Sequence, residues 1–372
     1  MNHTKQTGFN TKARREKIRR QAKQKGWKAF LVTDETNVSY LTGFTGDSSF
    51  LLITPENDLL ISDSRYTTQI EEECGTIDKV IRTSGATTIS LLVATLKKIK
   101  VSNVAVESHK LTKLTYDQIQ KELTGIELVD TNGVVENLRS IKDASEIKEI
   151  RKSIDLAERT FQVIRSSLRG EQTEAEIAHN IEHTIRLFGG DRCAFEPIVG
   201  VGERAALPHA VKTDKRIEES PFVLIDWGAK AGQYMSDLTR VLVTGKPTSK
   251  LEKIYNIVLQ AQSRAISKIK PGASIQTIDR AARGFIEDAG YGKKFGHGLG
   301  HGFGLQIHEN PFMSSISGKK LKEGMVITVE PGIYLEGWGG VRIEDDILVT
   351  REGHEVLTSV PKTFDDSIVN LP

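Results

Sequence analysis

The chain has 372 residues, 51 Lys and Arg against 49 Asp and Glu, and only two cysteines. One hydrophobic core stops growing near roughly 250–300 residues, so the length predicts two domains. The near-balanced charge argues against a nucleic-acid-binding protein. Two widely separated cysteines argue against a disulfide framework and favour a reducing compartment. No apolar run approaches the roughly 20 residues of a membrane span and no hydrophobic signal core opens the chain, so we expect a cytoplasmic protein without a membrane partner.

The first third of the chain alternates strand and helix patterns. Residues 29–32, 49–54 and 59–63 are short apolar runs that predict strands, and residues 88–99 predict a helix. Alternation of this kind is typical of an α/β domain. We expect this domain to span residues 1–135.

The remaining part, expected to span residues 140–372, consists of two successive halves. In each half, two amphipathic helices precede strands that carry a pair of acidic residues. Capping residues predict helix starts at Asp143, Thr173, Ser249 and Ser274. The repeated order indicates an internal duplication in an α+β domain, with the acidic residues of both halves meeting at one site.

The first acidic pair lies on a predicted hairpin. A short apolar strand ends in Asp226, and Asp237 opens the next strand after a glycine-bearing turn. If the hairpin is symmetric about the Ala231–Gly232 bond, the two carboxylates are directly opposed. Opposed like charges on one face, roughly 5 Å apart, destabilise a sheet, and a cation between them would reverse the effect.

The second acidic pair repeats this construction. Glu330 ends one strand and Glu344 enters the next. A hairpin centred on Gly337 would place these two residues opposite each other. Asp345 should point to the other face by the period of two, and Asp346 remains an alternative ligand.

A histidine segment follows the fourth predicted helix. His297 and His301 lie in a glycine-rich stretch that cannot be a helix and that can approach a ligand closely. Residues 305–309 alternate as a strand that carries His308. The segment therefore adds imidazole groups to the acidic residues.

The order of these motifs resembles that of the creatinase-like, pita-bread metallopeptidases, and most closely that of the Xaa-Pro peptidases prolidase and aminopeptidase P. The resemblance covers nearly the whole chain. It rests on several motifs in the right order, listed here: residues 37–46, 62–66, Pro-His-Ala at 208–210, Asp226, Asp237, Gly-His-Gly-Leu-Gly-His-Gly at 296–302, His-Glu-Asn-Pro at 308–311, Glu-Pro-Gly at 330–332 and Arg-Ile-Glu at 342–344. It implies a creatinase-type α/β amino-terminal domain followed by a pseudo-two-fold pita-bread catalytic domain.

The resemblance also implies a metal site. Two divalent metal ions would be held by five residues: Asp226, Asp237, His301, Glu330 and Glu344. Asp226 would bind one metal, Asp237 and Glu344 would bridge both, and His301 with Glu330 would complete the other. An oxygen-rich site with one imidazole suits manganese, with cobalt or zinc able to substitute.

Four further roles follow from the resemblance. Glu330 would also act as the base that carries the proton of water to the leaving nitrogen. His209 and His308 would line the substrate pocket and contact the substrate carbonyl or the reaction intermediate. Arg342, on the strand face that carries Glu344, would steady the carboxylates.

Other polar residues leave alternatives open. His297 is either a substrate contact or a structural hydrogen-bonding group, and Tyr334 either joins the hydrogen-bond network or simply packs. His179 and His183 have the i, i+4 spacing of a helical zinc site, but Asn180 stands where that motif has glutamate. We therefore expect a solvated or interface helix there.

The expected function is hydrolysis of the bond between a first residue and proline by a dinuclear metallopeptidase, with dipeptides as the preferred substrates. The alternative is aminopeptidase P activity on longer peptides. Methionine aminopeptidase shares the fold, but the creatinase-like amino-terminal domain disfavours it. A non-catalytic peptide-binding module is disfavoured because all five ligand positions are retained. The resemblance also implies a homodimer.

Overall fold

The computed structural model describes residues 9–372, which form two compact units that divide between Arg139 and Ser140. Each unit has its own hydrophobic core. Within residues 9–372, no helix is both long and apolar enough to cross a membrane.

The first unit is built on a six-stranded mixed sheet with the strand order β4-β3-β2-β1-β5-β6. Its strands are β1 (Phe30–Val32), β2 (Phe50–Ile53), β3 (Asp58–Asp63), β4 (Asp78–Arg82), β5 (Asn103–Glu107) and β6 (Glu127–Thr131). Its helices are α1 (Thr11–Lys25), α2 (Glu35–Thr42), α3 (Thr67–Cys74), α4 (Thr88–Ile99), α5 (Lys113–Glu122) and α6 (Val134–Arg139). The predicted alternation of strands and helices is confirmed.

Helix α4 illustrates why this unit folds as it does. Thr87 and Ser90 form a capping box at its start, so the first free N–H groups are satisfied. Leu92 and Leu96, one turn apart, are fully buried against the sheet, where Val104 also lies in the same core. The apolar stripe of the helix therefore packs on β5 and its neighbours.

The second unit contains the remaining elements. Its first half comprises α7 (Ala144–Ser167), α8 (Glu174–Leu187), β7 (Arg192–Cys193), β8 (Ile198–Val201), β9 (Phe222–Trp227), β10 (Ala229–Ala231), β11 (Tyr234–Met235) and β12 (Leu238–Val243). Its second half comprises α9 (Ser249–Ile266), α10 (Ile275–Asp288), β13 (Gly300–Gly302), β14 (Glu309–Met313), β15 (Val326–Val329), β16 (Gly332–Leu335), β17 (Gly339–Arg342), β18 (Asp345–Val349), β19 (His354–Val356) and α11 (Phe364–Ser367). The predicted order of two helices followed by strands is present in both halves.

The predicted helix starts agree with the observed caps. Asp143 and Thr173 are the N-caps of α7 and α8 and form capping boxes. Thr248, one residue before the predicted Ser249, is the N-cap of α9. Ser274 holds the N-cap position of α10, without a side-chain hydrogen bond to the helix.

The register of the first acidic hairpin differs from the prediction. Gly232 has φ of 61° and is the first of two central turn residues, because Ala231 pairs with Tyr234. The hairpin is therefore centred one residue later than expected, as in a two-residue turn that needs glycine first. As a result Asp226 lies opposite Thr239, and Asp237 lies two residues away on the same face.

The register of the second acidic hairpin agrees with the prediction. Strands β16 and β17 pair in a register centred on Gly337, whose φ is 71°, and β15 pairs with β18 in the same continuous register. That register places Glu330 opposite Glu344, between the two paired segments. The two hairpins thus present their carboxylates in different ways.

The strand predicted at residues 305–309 is wrong in its first four residues. Residues 305–308 form bends, and the strand begins only at Glu309. The Glu309 carboxylate accepts a hydrogen bond from the N–H of Gln306 at 3.0 Å, which closes a local turn in place of a sheet ladder. The buried Lys142 ammonium donates to the same carboxylate at 3.2 Å. His308 therefore lies on a loop that the contacts of Glu309 stabilise, and not on a strand.

Candidate metal centre

Three carboxylates from the two hairpins converge. Asp226 lies at the end of β9, Asp237 lies just before β12, and Glu344 lies between β17 and β18. Each offers one oxygen, and these oxygens all lie within 4.8 Å of one another. All three side chains are buried. Burial and the neighbouring carboxylates raise the pKa of Asp237 and of Glu344 well above its usual value.

His301 and Glu330 complete the cluster. The Nε2 atom of His301 lies 3.4 Å from Glu330 Oε1 and 3.6 Å from Asp237 Oδ2. Its Nδ1 atom donates to the Gly302 carbonyl at 3.1 Å, which leaves Nε2 as the lone-pair nitrogen facing the carboxylates. Burial lowers the pKa of His301 to about 4, so the ring is neutral at pH 7, as a metal ligand must be.

The residues present fit divalent cations. Asp226 Oδ1 is buried and has no hydrogen-bond partner within residues 9–372, while its other oxygen accepts from Arg342. A buried carboxylate oxygen without a partner is costly unless a cation is provided for it. Four carboxylates and one imidazole form a hard, oxygen-rich donor set that suits divalent cations.

Arg342 and Thr239 link the cluster into one network. Arg342 donates to Asp226 Oδ2 at 2.5 Å, to the Thr239 hydroxyl at 3.0 Å and to the Tyr334 hydroxyl at 2.9 Å. The Thr239 hydroxyl in turn donates to Glu344 Oε2 at 2.6 Å. Sequence reasoning did not identify Thr239. A prediction with the correct turn centre would have identified Thr239, because this residue lies directly opposite Asp226.

The two interpretations of His297 are compatible. Its Nδ1 donates to the Gly298 carbonyl at 2.7 Å, and its Nε2 accepts from the Tyr334 hydroxyl at 2.9 Å. Burial lowers the pKa of His297 to about 4 and raises the pKa of Tyr334 to about 12, so both groups are neutral at pH 7. Tyr334 therefore joins the network, and His297 both hydrogen-bonds and lines the cavity described next.

The cluster lies in a cavity of about 1050 Å³. His209 and His308 are exposed side chains on its wall. The ring of His308 lies edge-on to that of His301, with 4.4 Å between centroids. Partial burial of this ring lowers the pKa of His308. Apolar side chains form much of the remaining wall, among them Phe195, Ile198, Ile307 and Phe312. Polar groups thus gather at the carboxylates while the surrounding surface is apolar, as in small-ligand sites.

A buried glutamine supports the second hairpin from behind. Gln262, on α9, donates from Nε2 to the carbonyls of Val329 and Ile343, each at 3.1 Å. These two residues immediately precede Glu330 and Glu344. The amide thus ties together the two strands at the point where their carboxylates begin, and no pattern in the sequence indicated this role.

The two residues next to Glu344 point elsewhere. Asp345 pairs with Arg240 at 2.8 Å and with Lys362, on the face away from the cluster, as predicted. Asp346 Oδ2 accepts from the backbone N–H of Asp237 at 3.3 Å, and its oxygens are not in the close group of three carboxylates. It therefore supports the backbone of a cluster residue.

The histidine pair on α8 faces solvent. His179 and His183 are exposed, while Ile177, Ile181 and Ile185 on the opposite side are buried in the core. This is the amphipathic arrangement that the sequence predicted.

The family models match this chain along both of its units. Residues 148–351 match metallopeptidase family M24, and residues 14–141 match the creatinase/prolidase amino-terminal domain. The first of these matches alone covers more than half of the chain. The chain belongs to metallopeptidase family M24. It has the creatinase-type α/β domain and the pseudo-two-fold pita-bread domain that the sequence predicted.

Similar proteins match almost the whole chain. Peptidase YqhT of Bacillus subtilis is 37% identical over 347 residues, which are 93% of this chain and 98% of that protein. The structure of an Xaa-Pro dipeptidase from Bacillus anthracis is 38% identical, with a TM-score of 0.91 and coverage of 95% and 99%. That of an X-Pro aminopeptidase from Thermotoga maritima is 36% identical, with a TM-score of 0.87 and coverage of 94% and 100%. A protein named as an Xaa-Pro dipeptidase and one named as an X-Pro aminopeptidase thus have nearly the same sequence identity to this chain.

Proposed function

We propose that this M24 protein is a metal-dependent Xaa-Pro peptidase that hydrolyses the bond between an amino-terminal residue and proline, with Xaa-Pro dipeptides as its preferred substrates. The observation that carries the proposal is the buried group of three carboxylates, with oxygens within 4.8 Å of one another and one oxygen without a partner within residues 9–372. The similarity to the Bacillus anthracis Xaa-Pro dipeptidase supports the choice of bond.

The proposed cofactor is a pair of divalent cations, with manganese preferred and cobalt or zinc as substitutes. Asp226 would hold one cation, His301 with Glu330 would hold the other, and Asp237 with Glu344 would be shared. Bound cations of this kind polarise a scissile carbonyl and lower the pKa of water to near neutrality.

Glu330 is the proposed general base. Burial raises its pKa to about 8, and Thr328 donates to its Oε1 at 3.2 Å, which orients the carboxyl group. That value applies to the metal-free protein, and bound cations would favour the ionised form of this carboxyl group. The carboxylate could then take a proton from attacking water and pass it to the leaving nitrogen. That nitrogen, which belongs to proline, must gain a proton as the bond breaks.

The surrounding residues would bind and orient the substrate. Arg342 holds Asp226 and Tyr334, and would thereby keep the carboxylates in place. His209, His297 and His308 line the cavity. The rings of His209 and His308 can offer hydrogen bonds to the peptide, whereas both nitrogens of His297 are engaged by Gly298 and Tyr334, so His297 would contact the substrate through its ring. Proline lacks a backbone N–H, so contacts to carbonyl oxygens and to the proline ring must replace the hydrogen bond that other residues donate from that N–H.

The test is hydrolysis by the purified protein loaded with manganese, with Ala-Pro, Ala-Ala and Met-Ala as substrates. Cleavage of Ala-Pro well above the other two, lost on chelation and restored by manganese, is the expected result. Faster cleavage of Met-Ala would indicate a methionine aminopeptidase. Binding of less than about one metal ion per chain after reconstitution, without hydrolysis, would indicate a peptide-binding module.

A homodimer and a cytoplasmic location complete the proposal. Both cysteines, Cys74 and Cys193, are buried and free, which accords with a reducing compartment. The homodimer rests on the family resemblance alone. Sedimentation of the full-length protein tests it, and a single monomeric species at micromolar concentration would exclude it.

A further inference from the structure

A second cavity adjoins the cavity of the metal centre. It has a volume of about 770 Å³, and its lining residues all belong to the second unit. Pro208, His209 and His297 line both cavities. These residues form the border between the two cavities.

The second cavity carries the opposite charge. Lys293 and Lys294, on a single 3-10 turn after α10, are exposed at its wall. Neither ammonium group has a hydrogen-bond or ion-pair partner within residues 9–372. Two adjacent cations are therefore available to a ligand in this space.

The other charged groups of this cavity do not cancel the lysine pair. Arg204 is held by Glu174 at 2.9 Å, so its charge is balanced. Glu203 is paired with Lys215 at 3.3 Å. Glu336 is the remaining acidic residue of the lining and is exposed. Two available ammonium groups thus face one carboxylate, and the cavity has a net positive charge.

A peptide has the complementary polarity. When its scissile bond lies at the metal centre, its terminal carboxylate is at the far end of the chain, where ammonium groups attract it. A longer chain with its first residue at the metal centre would have to cross the border at His297 and His209 to enter the second cavity. Its carboxylate then approaches the lysine pair.

We propose that the second cavity binds the residues that follow proline, and that Lys293 and Lys294 bind the free terminal carboxylate of Xaa-Pro peptides longer than a dipeptide. This inference rests on the proposed Xaa-Pro peptidase function and adds to it a subsite for the end of longer substrates. The lysine pair is then a determinant of substrate length and of the charge at the end of the substrate.

The test compares one tetrapeptide in two forms, Ala-Pro-Ala-Ala with a free carboxylate and the same peptide as its terminal amide. For the manganese-loaded full-length enzyme, we expect kcat/KM to be about threefold to tenfold higher for the free acid, the range that exposed charge pairs support. The double variant Lys293→Gln/Lys294→Gln should bring this ratio close to one. The variant Lys293→Arg/Lys294→Arg should keep it, because the charge is retained.

A matched control uses another exposed lysine pair. Lys97 and Lys98 are adjacent and exposed on α4, in the first unit. Lys97→Gln/Lys98→Gln removes the same charge and should leave the ratio at its wild-type value. Added salt should lower the wild-type ratio, since screening weakens exposed charge pairs.

Two outcomes would overturn the inference: a wild-type ratio near one, or an unchanged ratio in the Lys293→Gln/Lys294→Gln variant. Both can occur while the Ala-Pro bond is still cleaved, in which case the proposed function stands and only the subsite is lost. If the manganese-loaded protein cleaves neither Ala-Pro nor either tetrapeptide, the Xaa-Pro function itself fails.

Discussion

The two acidic hairpins of the second unit are alike in sequence and differ in how they present their carboxylates. In the first, Asp226 lies opposite Thr239, and Asp237 lies two residues before Thr239. In the second, the continuous register puts Glu330 directly opposite Glu344. A shift of one residue in the turn centre moves the opposed position by two, so the turn decides whether a hydroxyl or a second carboxylate faces the acid.

The two hairpins are also held differently. The first is held from within the site by the second, because the Thr239 hydroxyl donates to Glu344 and the Arg342 guanidinium donates to Asp226. The second is held from behind, where Gln262 binds the backbone on both strands. Substitutions in the first should therefore act mainly on metal binding and turnover, and those behind the second mainly on stability.

The largest expected effect comes from removing a carboxylate that the two proposed cations share. Asp237→Asn keeps the size of the side chain and removes its charge, so we expect kcat to fall more than about a hundredfold and bound metal to decrease. Activity assays and metal analysis measure both. Asp155→Asn on α7, where the side chain is 66% exposed, is the matched control and should retain both. Near-wild-type turnover in Asp237→Asn would remove this residue from the proposed metal site.

The Thr239→Val variant tests the first hairpin. It removes a hydroxyl that accepts from Arg342 and donates to Glu344, with little change in shape. We expect manganese affinity or kcat to fall about tenfold to a hundredfold, as for other groups that orient metal ligands. Titration calorimetry and steady-state kinetics measure the change. Thr239→Ser keeps the hydroxyl and should restore most of the loss; equal losses in both variants would point to packing of the methyl group instead.

The Gln262→Leu variant tests the second hairpin. It leaves two buried carbonyl groups without their donor, so we expect the free energy of unfolding to fall by about 2 kcal/mol. Urea denaturation of the metal-free protein measures it, with Ser263→Ala on the exposed side of α9 as the control. We expect kcat to change less than in Thr239→Val, and the reverse order would contradict the distinction between the two hairpins.

The pH dependence of the metal-free protein gives the smallest effect. Burial raises the pKa of Glu330 from 4.5 to about 8, so the folded protein retains a proton that the unfolded chain releases, and stability is lost as the pH rises through this window. Burial lowers the pKa of His297 and His301 from 6.5 to about 4. The contribution of these two residues to stability therefore rises with pH from about 4 to 6.5 and is constant above that. Between pH 6.5 and 8 the carboxylates alone should lower the melting temperature.

Melting curves in chelator and in manganese measure this decline. Manganese should flatten it, because a bound cation stabilises the ionised carboxylates. Glu330→Gln should make the decline in chelator shallower. A metal-free melting temperature that rises from pH 6.5 to 8 would contradict the burial of unpaired carboxylates at this site.

Much of the second unit could be predicted because the signals are local. Capping residues such as Asp143 and Thr173 satisfy helix N–H groups within one turn, so the helix starts are encoded nearby. The hairpin centred on Gly337 was predicted for a similar reason, since its glycine-rich turn determines the register. The loop before Glu309 was not predicted, because Lys142, far away in sequence, helps to hold it.

By itself, the sequence determined which groups could do chemistry. It supplied the four carboxylates and the histidines, the apolar strands that carry them and their duplicated order, because residue type and periodicity are properties of the chain. Only the tertiary structure decided how these groups meet. The place of Thr239 between two carboxylates, the reach of Gln262 across two strands and the lysine pair beside a second cavity all depend on contacts between residues distant in sequence. Such contacts arise from packing, and a local pattern does not specify them.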